Sequence, residues 1–158
     1  MGDRNSDFVK VKIRLDRDES DYSPTEYEHV WARKAGPGLY ELDNIPFFAR
    51  GVRVGDVFSA DVQGDDELLF SRVVRPSHHA TLRVIVFRES PDVRPLEERV
   101  LVLRSTLSQL GCSTELSHLP GLIAVDVPEE ASLSSVTKAL SDGETSGLWE
   151  YEEAALPR

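Results

Sequence analysis

The segment from residue 38 to residue 57 limits the folds open to this chain more than any other. It joins an aromatic turn around Pro46 to two glycine turns at Gly51 and Gly55, and a new strand follows. Pro46 restricts Ile45 to extended backbone, and the two glycines permit the left-handed conformations that tight turns require. The segment therefore predicts a small β-rich unit whose strands are joined by tight turns.

Alternating side chains predict the strands of that unit. Residues 8–15 alternate strictly between apolar and basic side chains, which is typical of a half-buried strand. On the next strand, Tyr27, His29 and Trp31 share one face. Five short strands within about 70 residues favour a small barrel-like sheet, with an acidic loop at residues 16–24. The predicted strands are residues 8–15, 25–34, 38–42, 57–62 and 68–75.

The pattern changes after residues 76–79, and helices alternate with strands from there on. Pro95 opens one helix and Ser132 caps another, while Gly111 and Gly143 are expected to end them. The order is β-α-β-β-α-β, that of a ferredoxin-like unit. One face of its sheet needs a cover, supplied by the front unit or by a second copy of the chain. The predicted strands are residues 81–87, 113–119, 122–127 and 148–153.

The predicted fold class is therefore α+β, a β-rich, barrel-like N-terminal unit followed by a ferredoxin-like βαββαβ unit. The predicted organisation is a disordered tail at residues 1–7, a β-rich unit at 8–76 and an α+β unit at 80–153.

The amino-acid composition limits the classes of function that this chain can have. The chain has 158 residues, of which 40% are apolar, and its net charge is −10. That charge argues against non-specific nucleic-acid binding and suits a basic protein partner, although an acidic surface also serves solubility alone. No apolar run is long enough for a membrane span, and the N-terminus lacks a secretory signal. The single cysteine, Cys112, forms no internal disulfide, so a reducing cytoplasm is expected.

Several motifs resemble a known family. They are Trp31-Ala32-Arg33, the run from Tyr40 to Gly51, Gly55-Asp56-Val57 and the run from Gly147 to Tyr151. Together they resemble a bacterial family of small proteins known as a domain of unknown function, DUF4265. The likeness covers most of residues 8–153 and implies a bacterial, stand-alone cytoplasmic protein. It supplies no catalytic residues.

Histidines form the most reactive-looking cluster in the sequence. His78 and His79 can shuttle protons near neutral pH, and Thr81 or Ser77 is a candidate nucleophile with Asp43 or Asp56 as the orienting acid. The weak catalytic candidates are thus His78, His79 and Thr81, and the alternative is a polar linker. The scattered histidines and Cys112 show no ligand spacing typical of zinc, so no metal and no cofactor are predicted.

Arginines offer a second candidate site. Guanidinium groups bind carboxylates and phosphates in a bidentate manner, so a small anionic ligand is expected among them, against two aromatic rings. The alternative is a solvated face whose arginines pair with neighbouring acids. The predicted ligand-binding residues are Arg50, Arg53, Arg72, Arg75, Arg83, Phe47 and Phe48.

Three functions follow from these observations. The first is a non-catalytic protein-binding module, of immunity or regulatory type, which engages a basic protein. The second is a regulatory module that binds a small anionic ligand. The third is a hydrolase or transferase that uses His78 or His79. A homodimer is a further candidate assembly, because a second copy would cover the open sheet face.

Overall fold

The computed structural model describes residues 7–16 and 26–157. Over these residues the fold is mixed α+β, with two sheets and two helices, which confirms the predicted fold class at this level. The division into units 8–76 and 80–153 stays a prediction. The tail at residues 1–7 and the acidic loop at 16–24 lie, apart from Asp7 and Asp16, outside the described residues. The elements are β1 (Phe8–Arg14), β2 (Tyr27–Gly36), β3 (Leu39–Leu42), β4 (Val57–Gln63), β5 (Glu67–Arg75), β6 (Ala80–Val86), α1 (Leu96–Gln109), β7 (Ser113–Leu116), β8 (Leu122–Val127), α2 (Leu133–Thr145) and β9 (Trp149–Ala155).

Strands β1 to β5 form the first sheet, in which neighbours along the chain pair antiparallel. The sheet closes because β1 also pairs in parallel with β5, through Val11 opposite Leu68 and Lys12 opposite Leu69. Inward side chains alternate with outward ones, as the apolar–basic pattern of β1 predicts. The enclosed core includes Val11, Val30 and Phe58, and the Phe58 ring lies 5.0 Å from that of Phe70.

The second sheet has the strand order β7-β8-β6-β9, and all of its pairs are antiparallel. Both helices cover the same face. Leu103 and Leu107 of α1 and Leu140 of α2 belong to one buried cluster with alternate residues of β6 and β8. Strand β8 occupies the predicted range, and its six residues are all buried because it lies inside the sheet.

Several predicted boundaries are wrong by a few residues. Strand β7 ends at Leu116 rather than at residue 119, because its pairing with β8 stops there and the Ser117 hydroxyl accepts from Leu119 N. Helix α2 runs past Gly143 to Thr145. Gly143 is buried within the helix against the Trp149 indole, which occupies the space that a Cβ would need. Close packing, rather than helix termination, therefore accounts for this glycine.

The segment from residue 43 to residue 56, called here the junction segment, covers the face of the second sheet opposite the helices. The Thr81 hydroxyl donates to Val52 O at 3.0 Å, and Gly51 N donates to Ala154 O at 3.0 Å. The cover predicted for this face thus comes from the chain's own N-terminal part. In the described residues, neither helix is long and apolar enough to cross a membrane.

Candidate functional site

Arg83 lies at the centre of the contact between the two sheets. Its strand places it on the face that meets the junction segment, and it is 1% exposed. Its Nε donates to Glu152 Oε1 at 2.8 Å, and its Nη1 donates to Pro46 O at 3.4 Å. Within the described part of the chain, only its Nη2 is buried without a hydrogen-bond partner. Arg83 therefore joins the second sheet to the junction segment instead of facing solvent.

Arg53 is the second predicted ligand-binding arginine that is buried. Its Nη1 lies 3.2 Å from Asp56 Oδ2, and its Nε donates to Leu156 O at 2.8 Å. Asp56 also accepts from Arg53 N at 2.9 Å and from Ser77 N at 2.7 Å. A buried ion pair with this many additional hydrogen bonds fixes the backbone on both sides of it.

The other three arginines reach solvent, so the predicted cluster of five does not converge. Arg72 and Arg75 are exposed on β5, and the Arg50 side chain is 71% exposed while lying 3.3 Å from Glu152 Oε2. Glu152 is thereby shared between Arg50 and Arg83. Three of the five pair with neighbouring acids as in the alternative, but Arg53 and Arg83 are buried and do not belong to a solvated face.

Phe47 and Phe48 are positioned by a buried carboxylate. Glu28, on β2, accepts from Phe47 N at 2.6 Å, from Phe48 N at 3.0 Å and from Ala49 N at 2.8 Å. Hydrogen bonds from backbone amides to a charged acceptor are among the stronger ones in proteins. Glu28 is not among the predicted site residues. Its signal in the sequence is an acid at an inward position of an alternating strand, two residues before the apolar Val30 and four before Ala32.

Phe48 and Arg50 line a cleft of about 290 Å³ at one end of the first sheet. Arg14 also lines it, together with Phe70 and Asp16. This arrangement, called here the arginine cleft, brings together only two of the predicted ligand-binding residues. Two guanidinium groups beside aromatic rings suit a small anion with an apolar part, and Asp16 opposes its charge.

The three catalytic candidates do not form one site. His78 is exposed, whereas His79 is half-buried with its Nδ1 2.8 Å from Asp126 Oδ1. Its acid is therefore Asp126 and neither Asp43 nor Asp56. Burial raises the pKa of the Asp126 carboxyl, and the hydrogen bond with His79 acts in the opposite direction. Thr81 is fully buried, and its hydroxyl is already donated to Val52 O.

Cys112 is a buried thiol directly before β7. Burial, with a smaller contribution from the Asp126 charge, raises the pKa of this thiol to about 11. It therefore stays protonated and unreactive at neutral pH. Across the described ranges, no group of three histidine, cysteine, aspartate or glutamate side chains is placed to hold a metal ion.

An apolar groove of about 400 Å³ lies between the start of α1 and the β7–β8 hairpin. Leu101 and Leu116 on its walls are 61% and 51% exposed. Glu97 lines the same groove, and Glu98 next to it is exposed. Glu115 instead accepts from Asn44 Nδ2 at 3.4 Å on the side of the junction segment, and partial burial there raises the pKa of its carboxyl. The other lining residues are Leu96, Val100, Ser117, Leu119, Pro120, Gly121 and Leu122.

Comparisons with known proteins address the family and the fold. Among solved structures, the chain is similar to a hypothetical protein from Neisseria gonorrhoeae, with 18% identity and a TM-score of 0.72 over 95% of this chain and 97% of that chain. A likeness at that identity shows the fold alone. Comparison with curated proteins finds no match. The family described as a domain of unknown function, DUF4265, matches residues 28–151, and the chain therefore belongs to it.

Proposed function

We propose that this chain is a non-catalytic protein-binding module, of immunity or regulatory type, whose partner carries a basic surface. The observation that supports it best is the apolar groove beside α1. Large apolar side chains that reach water in a contiguous patch mark interaction surfaces more often than isolated ones do. Leu101 and Leu116 are such side chains, on two different elements that face one groove.

Charge supports a basic partner. Glu97 borders the groove, and the chain carries a net charge of −10. An acidic surface attracts a cationic protein over distance and raises its rate of association. The occupant is therefore a segment that places a large apolar side chain in the groove and Lys or Arg residues beside Glu97.

The positions of the reactive-looking groups support a binding role over catalysis. Thr81 and Arg83 are buried in the contact between the sheets, and Arg53 is buried in an ion pair with Asp56. Each of these side chains already has a polar partner within the protein, so its polar group is used in holding the fold. The groove and its acidic border, by contrast, are exposed and available for recognition.

Two finer fold assignments belong to this proposal. The closing contact between β1 and β5 supports a barrel-like first sheet. The strand order of the second sheet, with both helices on one face, supports a ferredoxin-like second unit. The groove lies in that second unit, at its β7 edge.

Site-specific photocrosslinking in the native host tests the protein-binding function. A photoreactive residue replaces Leu116 in one variant and Val62 in the control, because Val62 is also an exposed apolar residue but lies on β4. The expected result is a discrete crosslinked protein from position 116 alone. That protein, purified, should bind the wild-type chain and lose about tenfold or more in affinity with Leu101→Asp, as for a central contact residue.

Three results would overturn the proposal. One is equal crosslinking from both positions, another is a captured protein that does not bind when purified, and the third is an affinity that Leu101→Asp leaves unchanged. Val62→Asp serves as the charge-matched control for the affinity measurement, and circular dichroism checks that each variant folds.

The arginine cleft favours a second candidate, a regulatory module for a small anionic ligand. Phenyl phosphate combines an anion with a ring and fits the chemistry of Arg14, Arg50 and Phe48. Ligand that binds only the folded state raises the melting temperature. We expect phenyl phosphate to stabilise the wild-type chain more than inorganic phosphate does, and Arg50→Ala to remove the difference. An equal response to both compounds would eliminate this candidate.

A further inference from the structure

We propose that the outer face of the β1–β2 strand pair binds single-stranded nucleic acid. Its side chains alternate cations and rings across the two strands. Cross-strand neighbours are Phe8 with Arg33 and Lys10 with Trp31, and two further pairs follow in the same register. Each of the four pairs joins a cation to an aromatic ring. This surface, called here the cation–ring ribbon, consists of Phe8, Lys10, Lys12, Arg14, Tyr27, His29, Trp31 and Arg33.

Three contacts within the ribbon show that the cations lie over the rings. Lys10 Nζ is 5.5 Å from the centroid of Trp31, and Lys12 Nζ is 5.0 Å from that of Tyr27. The Arg33 guanidinium carbon is 5.3 Å from the centroid of Phe8. These distances are typical of cation–π attraction, which keeps rings and charges side by side on the strand pair.

The ribbon remains open to solvent. Trp31 is 50% exposed, and Lys10, Arg14 and Arg33 are exposed as well. Lys12 is the exception, because its Nζ lies 2.8 Å from Glu67 Oε2 and its side chain is mostly covered. That ion pair raises the pKa of Lys12. The exposed part of the ribbon thus keeps three cations and an indole available to a ligand.

Charge complementarity identifies the ligand as an anion. Four Lys and Arg side chains lie on this face, bordered by Asp66 and Glu67 on one side and by Glu41, opposite Arg33, on the other. The outward side chains of the strand pair itself carry these four cations and no acid, on a chain whose net charge is −10. The net negative charge predicts that the rest of the surface binds nucleic acid weakly. Any affinity for phosphates is therefore expected at this face.

The rings distinguish a nucleic acid from other polyanions. Acidic peptides and polyphosphate require only cations, whereas nucleobases gain by stacking on exposed aromatic side chains. Proteins that bind single strands combine cations along the backbone path with aromatic stacking surfaces, and the ribbon has both on one strand pair. Trp31 is the expected stacking residue because its large indole is exposed, whereas Phe8 and Tyr27 are half-buried.

The test measures fluorescence anisotropy of a labelled oligothymidine of about 12 nucleotides, a length within the usual site sizes of such proteins. At low salt, we expect the wild-type chain to bind. Trp31→Ala should weaken binding about tenfold, which corresponds to the loss of one stacked base. Lys10→Glu should weaken binding and lower the slope of log affinity against log salt by about 0.7, the loss of one phosphate contact.

A matched control separates local from overall charge. Lys138→Glu makes the same charge change on α2, where the lysine side chain is 76% exposed and far from the ribbon in sequence. It should leave affinity within about twofold of the wild type, because α2 packs on the second sheet and the ribbon belongs to the first. Equal weakening by Lys138→Glu and Lys10→Glu would overturn the proposal, as would the absence of wild-type binding at low salt.

Two further probes test whether the ribbon binds other polyanions as well as it binds oligothymidine. An abasic oligonucleotide carries the phosphates without bases, and polyglutamate carries carboxylates alone. We expect both to bind at least tenfold more weakly than oligothymidine. Equal binding of the abasic strand or polyglutamate, with no effect of Trp31→Ala, would show that the ribbon holds polyanions by charge alone and would overturn the assignment. These measurements leave the groove variants untouched, so either proposal can fail without the other.

Discussion

The two sheets provide partners for the backbone groups of their edge strands in different ways. The first sheet closes through backbone pairing of β1 with β5. The second has two outer strands, and side chains from elsewhere cover parts of both. Arg104 Nη2 donates to Thr114 O at 3.4 Å on β7, and Glu144 accepts from Tyr151 N at 3.0 Å on β9. Both solutions protect exposed backbone groups from pairing with another chain.

This difference determines which residues each sheet depends on. A sheet closed by its own strands tolerates changes on its outer face, provided that the inward pattern is kept. A sheet whose edges and faces are covered by distant segments depends on single side chains that hold those segments. The junction segment is such a cover, and Asp56 and Arg83 hold it in place.

Asp56→Ala should have the largest effect on stability. It removes three hydrogen bonds and leaves the Arg53 guanidinium buried without its carboxylate, a change that typically costs about 3–5 kcal/mol. Urea unfolding measures the loss. Asp61→Ala, an exposed aspartate on β4, is the control and should change the free energy of unfolding by less than about 0.5 kcal/mol. A loss below about 1 kcal/mol for Asp56→Ala would refute the role given to the junction segment.

Gly143→Ala should have the next largest effect, confined to the packing of α2 on the second sheet. Helix propensity alone predicts a gain of about 1 kcal/mol. The Trp149 ring occupies the space of the new methyl group, so overpacking should instead cost about 2 kcal/mol. Urea unfolding followed by tryptophan fluorescence gives both sign and size. Ser141→Ala, exposed on the same helix, is the control, and a stabilised Gly143→Ala variant would contradict the expected packing.

Cys112 should give the smallest effect, a pH dependence that belongs to the second sheet. The pKa of this thiol is raised from 9.0 to about 11, so the unfolded chain loses the proton first as pH rises. Stability therefore falls between these two values, by about 1 kcal/mol at a pH near 10. Comparing urea unfolding of the wild type and Cys112→Ala at pH 8 and 10 isolates this contribution. Parallel losses in both proteins would show that Cys112 does not contribute.

Much of the fold could be predicted from periodicity. Strand β1 alternates strictly, and β8 is a short apolar run bounded by turns, so both patterns have direct physical causes. The end of α2 could not be predicted in this way. Gly143 is a typical terminating signal, but the ring that packs on it comes from Trp149, whose position depends on tertiary structure.

The candidate sites were less predictable. Spacing places Arg50, Arg53 and Arg83 near one another, yet it does not show that two of them point into the contact between the sheets. The acid beside His79 is Asp126, which is 47 residues away and reaches it because β8 pairs with β6. The groove combines one helix with a hairpin, and no local pattern joins those elements.

The bond between Glu28 and three consecutive amides has a consequence for engineering. The aromatic turn at residues 47–49 takes its shape from an acid about twenty positions earlier on β2. A chimaera that transplants this turn into a relative must bring the matching glutamate as well. Without it, the grafted loop would leave three amide protons without an acceptor, and its two phenylalanines would lose their placement.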